Sequence, residues 1–268
     1  MVGSDILDQC DIIIQAGQSN AQGYGIGSVD REFSPSSDIL YFSAKEECET
    51  VDGIVRVKYA NESFSISVAQ EDNDAVGKIG NFALAFAEDY IRNGYLEKGR
   101  KILIIRAAIG GTGFSYGHWQ SDGQQYLKML EMTDYALRLS NTNRLVAFLW
   151  HQGENDANCG LPPPTYHSYI CQMVTAVRKN YNQPNLPFVA GDFVPQWRDE
   201  NHIKTFPIIE AIRNACAQIG DAAFVNTDGL LSNAQMNGGK DILHFCRQSL
   251  YDLGHRYFDA FARITKNS

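Results

Sequence analysis

The chain is 268 residues long, 44% hydrophobic and 20% charged, enough to bury roughly 73% of the surface its unfolded form exposes without disulfide or metal staples. Its 23 basic against 31 acidic residues leave a net charge of −8. That balance argues against a broad phosphate-neutralising face for nucleic acid and, with no polybasic stretch, against docking on an anionic membrane surface.

No run of 18 apolar residues occurs, so no spanning helix is expected. Met1 to Asp11 is polar and acidic, without the basic-then-apolar order of a signal peptide. The expectation is a cytoplasmic protein, and a secreted chain trimmed of its leader would read the same way. Short β-branched runs then alternate with helix-length amphipathic stretches, the mark of βαβ units and a parallel sheet. The predicted strands are Asp11–Ala16, Lys101–Ala107, Arg144–Trp150, Leu186–Gly191 and Ala222–Asn226. Their near-continuous apolar character fits strands covered on both faces.

The predicted helices are Phe82–Tyr95, Gln124–Leu139, Thr165–Tyr181, Pro207–Ile219 and Gln248–Ile264. In the last, Leu250, Leu253, Tyr257 and Phe261 recur at spacings of three and four, an apolar stripe that faces the sheet. Asp38–Ala60 breaks the rhythm: Ile39–Phe42 and Ile54–Tyr59 read as a short strand and a hairpin arm inserted into the fold. No linker, repeat or low-complexity tract divides the chain, so residues 1–268 are expected to form one domain. Its six cysteines contain no C-x-x-C pair, and most are expected as buried thiols.

Ligands of such a sheet bind outside the carboxyl ends of its strands, so the residues after each strand carry the functional information. They are Gly17-Gln18-Ser19-Asn20, Gly110-Gly111-Thr112-Gly113, His151-Gln152-Gly153-Glu154-Asn155-Asp156 and, before the final helix, Asp241-Ile242-Leu243-His244. A serine at a strand-to-helix turn exposes its hydroxyl while its own N–H points at a developing oxyanion. Alone, Ser19 reads equally as an N-cap. Asp241 and His244, three apart, suit a carboxylate that holds one ring nitrogen while the other takes a proton from Ser19. The plain reading of that pair is a surface ion pair in a helix-entry loop. Gly110-Gly111 suits backbone N–H groups approaching a ligand, or an ordinary turn. Gln152 or Asn155 can add an amide donor.

Together these blocks resemble those of the SGNH (GDSL-like) hydrolases: Gly17-Gln18-Ser19-Asn20, Gly110-Gly111-Thr112 with Trp119, Trp150-His151-Gln152-Gly153-Glu154-x-Asp156, and Asp241-x-x-His244-Phe245. Within that superfamily they resemble the sialate O-acetylesterase and acetylxylan esterase branch, carbohydrate esterase family six. The resemblance implies a three-layer α/β/α, flavodoxin-like fold with a mostly parallel five-stranded sheet, and metal-free removal of acetyl esters from sugars, with no cofactor. It implies Ser19 as nucleophile, His244 as general base and Asp241 as its orienting acid. The implied oxyanion donors are the Ser19 and Gly111 N–H groups and the Gln152 side chain; Gly153-Glu154-Asn155-Asp156 also satisfies the wider superfamily's G-x-N-D, where the asparagine donates. The partner expected is a small acetylated carbohydrate such as an acetylated xylan oligomer or O-acetyl sialic acid. Trp119 and Trp197, on strand-end loops, read either as rings that stack on it or as core anchors, and Glu154 is the third residue expected to touch it.

Other readings compete. Gly113-Phe114-Ser115-Tyr116-Gly117 is a literal G-x-S-x-G nucleophile elbow, yet Ser115 lies eight residues past its strand, so it reads as a loop lining the pocket. His151, Glu154, Asp156 and His118 lack the spacing of a metal site. A lipid-type GDSL esterase or lysophospholipase would prefer longer acyl chains, and a silent carbohydrate-binding protein would bind without turnover. A pure interaction module fits least, because so many polar groups would meet at one sheet edge for no chemical purpose.

Overall fold

The computed structural model describes residues 9–266; apart from its last three residues, the polar Met1–Asp11 stretch lies outside them. In chain order the elements are β1 (Cys10–Gly17), α1 (Ser19–Gln22), β2 (Ile39–Val51), β3 (Ile54–Val68), β4 (Asp72–Asp74), β5 (Gly77–Ile79), α2 (Phe82–Arg92), β6 (Lys101–Arg106), α3 (Gln124–Arg138), β7 (Arg144–His151), α4 (Glu154–Cys159), α5 (Pro163–Asn180), β8 (Phe188–Gly191), α6 (Pro195–Glu200), α7 (His202–Ile219), β9 (Ala222–Val225), α8 (Asn233–Asn237) and α9 (Arg247–Lys266).

All five predicted strands are present, and they pair in parallel in the order β6-β1-β7-β8-β9. Their side chains are buried on both faces: Ile12, Ile13 and Ile14 of β1 and Ile102 to Ile105 of β6 are fully enclosed. Helices flank the sheet, α2 packing on α9 and α5 on α7. The result is the expected mixed α/β architecture around a mostly parallel sheet.

The sheet is wider than the sequence suggested. Among the described residues it has seven strands, because the segment read as an insertion joins its edge: β2 pairs in parallel with β6, and β3 pairs antiparallel with β2. Asp52 and Gly53, at φ 53° and 78°, turn the hairpin with the positive-φ pair that matches strand twist. The far part of this hairpin runs on past the sheet towards the strand ends, where Val55 meets the Gly111 turn.

Two smaller expectations also change. Helix α7 starts at His202, not at Pro207, and carries that proline inside it. The missing N–H merely leaves one first-turn carbonyl without its helical partner. Among the cysteines, only Cys10, Cys216 and Cys246 are buried; Cys171 is half-buried, while Cys48 and Cys159 are exposed on the hairpin and on α4.

Candidate active site

The site lies at the carboxyl end of β1, where the chain leaves towards β2 on one side while β7, β8 and β9 extend the sheet on the other. Gly17 allows the strands to close up there. At φ 136°, a Cβ on it would meet the His151 carbonyl oxygen at 2.1 Å, and the Gln18 N–H donates to that same oxygen at 3.0 Å. Ser19 therefore begins α1 at the mouth of the sheet, nearly enclosed except towards a cleft of about 500 Å³.

His244 comes from the loop before α9 and presents Nε2 to Ser19 Oγ at 3.0 Å. Its Nδ1 lies 3.0 Å from each carboxylate oxygen of Asp241. The network thus assigns the proton to Nδ1, leaving Nε2 free to accept from the serine. Burial pushes the Asp241 carboxyl up, but hydrogen bonds from His244 and Asn233 outweigh it and hold the group down to about 2. Tyr24 stacks on the His244 ring, centroids 5.0 Å apart, which limits the ring's swing.

Residues the sequence reading passed over build the frame. Asn233, the first residue of α8, donates to Asp241 Oδ2 at 2.9 Å and to the Tyr24 carbonyl at 3.0 Å. A capping box signals that helix start: Ser232 Oγ accepts the Gln235 N–H, and the Gln235 side chain accepts the Ser232 N–H. Asn20 donates to Glu154 Oε1 at 2.8 Å and to the Leu243 carbonyl at 3.1 Å, and accepts from the Phe245 N–H at 3.1 Å. It brackets His244 from both sides. Gln18 Oε1 takes the Gly153 and Asn155 N–H groups at the start of α4, satisfying donors that a helix end leaves over.

Of the two amides expected to reach an oxyanion, one is enclosed. Gln152 is fully buried, and its Nε2 is spent on Gln18 Oε1, Thr112 O and Asp156 Oδ2. It does not line the cleft. Asn155 does line it; one hydrogen of its Nδ2 goes to the Gly111 carbonyl, and the other is left over. Of the two glycines, Gly110 gives its N–H to Gln22 Oε1 at 2.7 Å. The N–H groups of Gly111 and Ser19 have no acceptor among the described residues.

Of the two readings of the tryptophans, substrate contact and core anchor, the structure shows the core anchor. Trp119 is 1% exposed, donates to Thr112 Oγ1 and packs edge-on against Trp150. Trp197 is 6% exposed and packs on Phe193. Neither lines the cleft; the aromatic rings that do are Tyr24 and Tyr116. Glu154 reaches the cleft only as part of its floor, 1% exposed, with burial pushing its carboxyl up.

Ser115 has no histidine hydrogen-bonded to it among the described residues. Its hydroxyl and its N–H both go to Asp156 Oδ1, at 2.6 and 2.7 Å. His118 spends Nε2 on the Val55 carbonyl at 2.8 Å, pinning the β2–β3 hairpin to the Gly113 loop. Among the described residues no group of three His, Cys, Asp or Glu side chains is set to hold a metal ion, and no helix is long and apolar enough to cross a membrane.

Comparison with known proteins gives a family and a fold. A family model described as carbohydrate esterase, sialic acid-specific acetylesterase, matches residues 9–263. Among solved structures, NanS superposes with a TM-score of 0.74 at 19% identity, over 97% of this chain and 99% of its own. A protein from Arabidopsis thaliana gives 0.65 at 20% identity, over 94% and 98%. A carbohydrate acetylesterase from Xanthomonas citri gives 0.65 at 13% identity, over 96% of this chain and 57% of the larger one. At such identities the structural likeness is one of fold. No curated protein sequence matches the chain.

Proposed function

The chain belongs to the sialic acid-specific acetylesterase family of carbohydrate esterases, and from that premise we propose that it hydrolyses O-acetyl esters on carbohydrates with Ser19 as nucleophile. The observation that carries this reading is the hydrogen-bonded row Ser19 Oγ, His244, Asp241 at the edge of the cleft.

Ser19 Oγ attacks the acetyl carbonyl as His244 Nε2 takes its proton, and Asp241, itself held by Asn233, keeps the ring in the tautomer that can do so. The oxyanion rests on the Ser19 and Gly111 N–H groups and the remaining Asn155 amide hydrogen. His244 then delivers its proton to the departing sugar oxygen. Water, activated by the same histidine, attacks the acetyl-serine and releases acetate. Tyr24 and Tyr116 form the aromatic walls against which a sugar ring packs.

Acetate release separates the substrates. Acetylated xylan oligomers and 9-O-acetyl sialic acid are offered side by side with a nitrophenyl ester series from acetate to decanoate. Release from either sugar, with acetate preferred in the series, supports the reading. Cleavage of short synthetic esters alone leaves an esterase without a carbohydrate role. A preference for decanoate points to a lipid esterase.

A further inference from the structure

Two buried polar atoms beneath the nucleophile have no hydrogen-bond partner, and they belong to neighbouring side chains. His151 is fully buried at the end of β7, and its Nδ1 is 2.9 Å from the Tyr257 hydroxyl. That hydroxyl gives its own proton to the Trp150 carbonyl at 2.8 Å. Tyr257 must therefore accept from His151 Nδ1–H, which leaves His151 Nε2 a bare lone pair. The nearest carboxyl oxygen of Glu154 is Oε1, 3.9 Å from it. Of the two carboxyl oxygens, Oε1 already accepts from Asn20, while Oε2 faces nothing.

An acceptor beside an ionised carboxylate, both cut off from water, is an expensive arrangement. A single proton on Oε1 gives Nε2 a donor and removes the charge that makes a bare Oε2 costly. We propose that Glu154 is carried as the neutral acid, its Oε1–H directed at the Nε2 lone pair of His151 while Oε1 still accepts from Asn20, and that this proton makes Glu154 a positioning residue for His244. The last torsion of the carboxyl is a soft one, and a turn about it shortens the 3.9 Å gap.

The surroundings favour the carboxyl as the proton's home. Burial holds the His151 imidazole down to about 3 and pushes Glu154 up. Asp156 on α4 adds a like charge that raises Glu154 further, while His244 and the Asn20 hydrogen bond oppose it. Tyr166 on α5 and Tyr257 on α9, the remaining titratable neighbours, are buried phenols held well above their ordinary value. The link to His244 runs through Asn20. Glu154 Oε1 takes one hydrogen of the Asn20 amide, whose other contacts hold residues 243 and 245. Fixing that amide fixes the loop that aims His244 at Ser19. This is the outer-shell orientation seen behind many reactive side chains.

The test is Glu154→Gln, which keeps a carbonyl for Asn20 and is neutral at every pH. Thermal unfolding is followed against pH in both proteins. A carboxyl whose folded pKa is raised contributes its stability fully below the unfolded value near 4.5 and loses it as pH rises towards the folded value. The glutamine has no such slope. The variant is therefore expected to match the natural protein in acid and to melt progressively higher than it towards alkaline pH. A variant that instead loses ground as pH rises means an ionised, stabilised carboxylate, and overturns the proposal.

The activity arm rests on the esterase reading. On nitrophenyl acetate Glu154→Gln is expected to keep most of the turnover and to extend it to higher pH. Glu154→Leu is expected to lose on the order of 10–100-fold in kcat at little-changed KM. A glutamine variant as damaged as the leucine one, or one with an unchanged alkaline limb, also overturns it. If none of the three proteins cleaves the ester, the esterase reading fails while the unfolding slopes still decide the proton.

Discussion

His244 Nε2 lies 3.0 Å from Ser19 Oγ across 225 positions of sequence. Nothing local to either residue brings them together. Ser19 is placed by the end of β1, held to β7 through the Gln18 N–H and the His151 carbonyl. His244 is placed by the Asn20 bracket and by α8, whose Asn233 N–H donates to the His244 carbonyl at 2.9 Å. Both anchors lie on parts of the fold packed before any substrate arrives, as a preorganised site requires.

Ser19→Ala is expected to remove about six orders of magnitude in kcat, the scale of a lost serine nucleophile. Unfolding should be unchanged, since only a hydroxyl at the cleft wall goes. Ser115→Ala should leave turnover largely intact and cost stability instead. It breaks a hydrogen bond to a carboxylate, worth about 1.5–3 kcal/mol. Steady-state kinetics and melting of the two variants decide the point, and equal kinetic losses would remove Ser19 from its role.

Asp241 and His244 differ in what each supplies. The base must be neutral to work, so kcat/KM rises with pH along an acid limb. Asp241 stays ionised down to about 2, so that limb does not belong to the carboxyl. In Asp241→Asn the rate should fall, since the ring loses the carboxylate that holds its Nδ1 proton and with it the oriented tautomer. His244→Ala should be the more damaging change. Normal turnover in Asp241→Asn would assign the orienting role elsewhere.

Asn155→Ala should lower kcat by about 10²–10³ with a small change in KM, the cost of one oxyanion donor. Asn155 is half-buried at the start of α4, so the fold should tolerate the change. Gln152→Ala should behave differently. It strips partners from Gln18, Asp156 and Tyr166, and its damage should appear first in the melting curve.

Trp119→Ala tests a side chain moved from the cleft to the core. A cavity of that size typically costs about 3–5 kcal/mol, while KM for an acetylated sugar should hold at temperatures where the variant is folded. A large KM change with normal stability would return Trp119 to the binding surface.

A chelator should leave turnover intact, because each step assigned to Ser19 and His244 needs only a proton acceptor and fixed dipoles. Activity lost to chelator and restored by zinc would count against the serine reading.

Much of this was legible in the amino-acid string. The five parallel strands announced themselves by runs such as Ile12-Ile13-Ile14 and Ile102 to Ile105, since a strand covered on both faces must be apolar at every position. The strand-end rule then pointed to the segments holding Ser19, Gly111, Asn155 and His244 before any contact was known. Three matters were settled only by tertiary packing. Ile39–Phe42 and Ile54–Tyr59 became the sheet's edge because β6 offered an open side, and no local pattern records a partner strand's edge. Trp119 and Trp197 turned inward because large rings bury wherever neighbouring rings leave room, which composition cannot locate. Gln152 and Asn155 differ in what surrounds them: Gln152 is spent on buried acceptors while Asn155 lines the cleft. Hydrogen-bond saturation is a property of the surrounding atoms in space, and those atoms come from residues 18, 112, 156 and 166, which no reading of the 152–155 segment alone brings together.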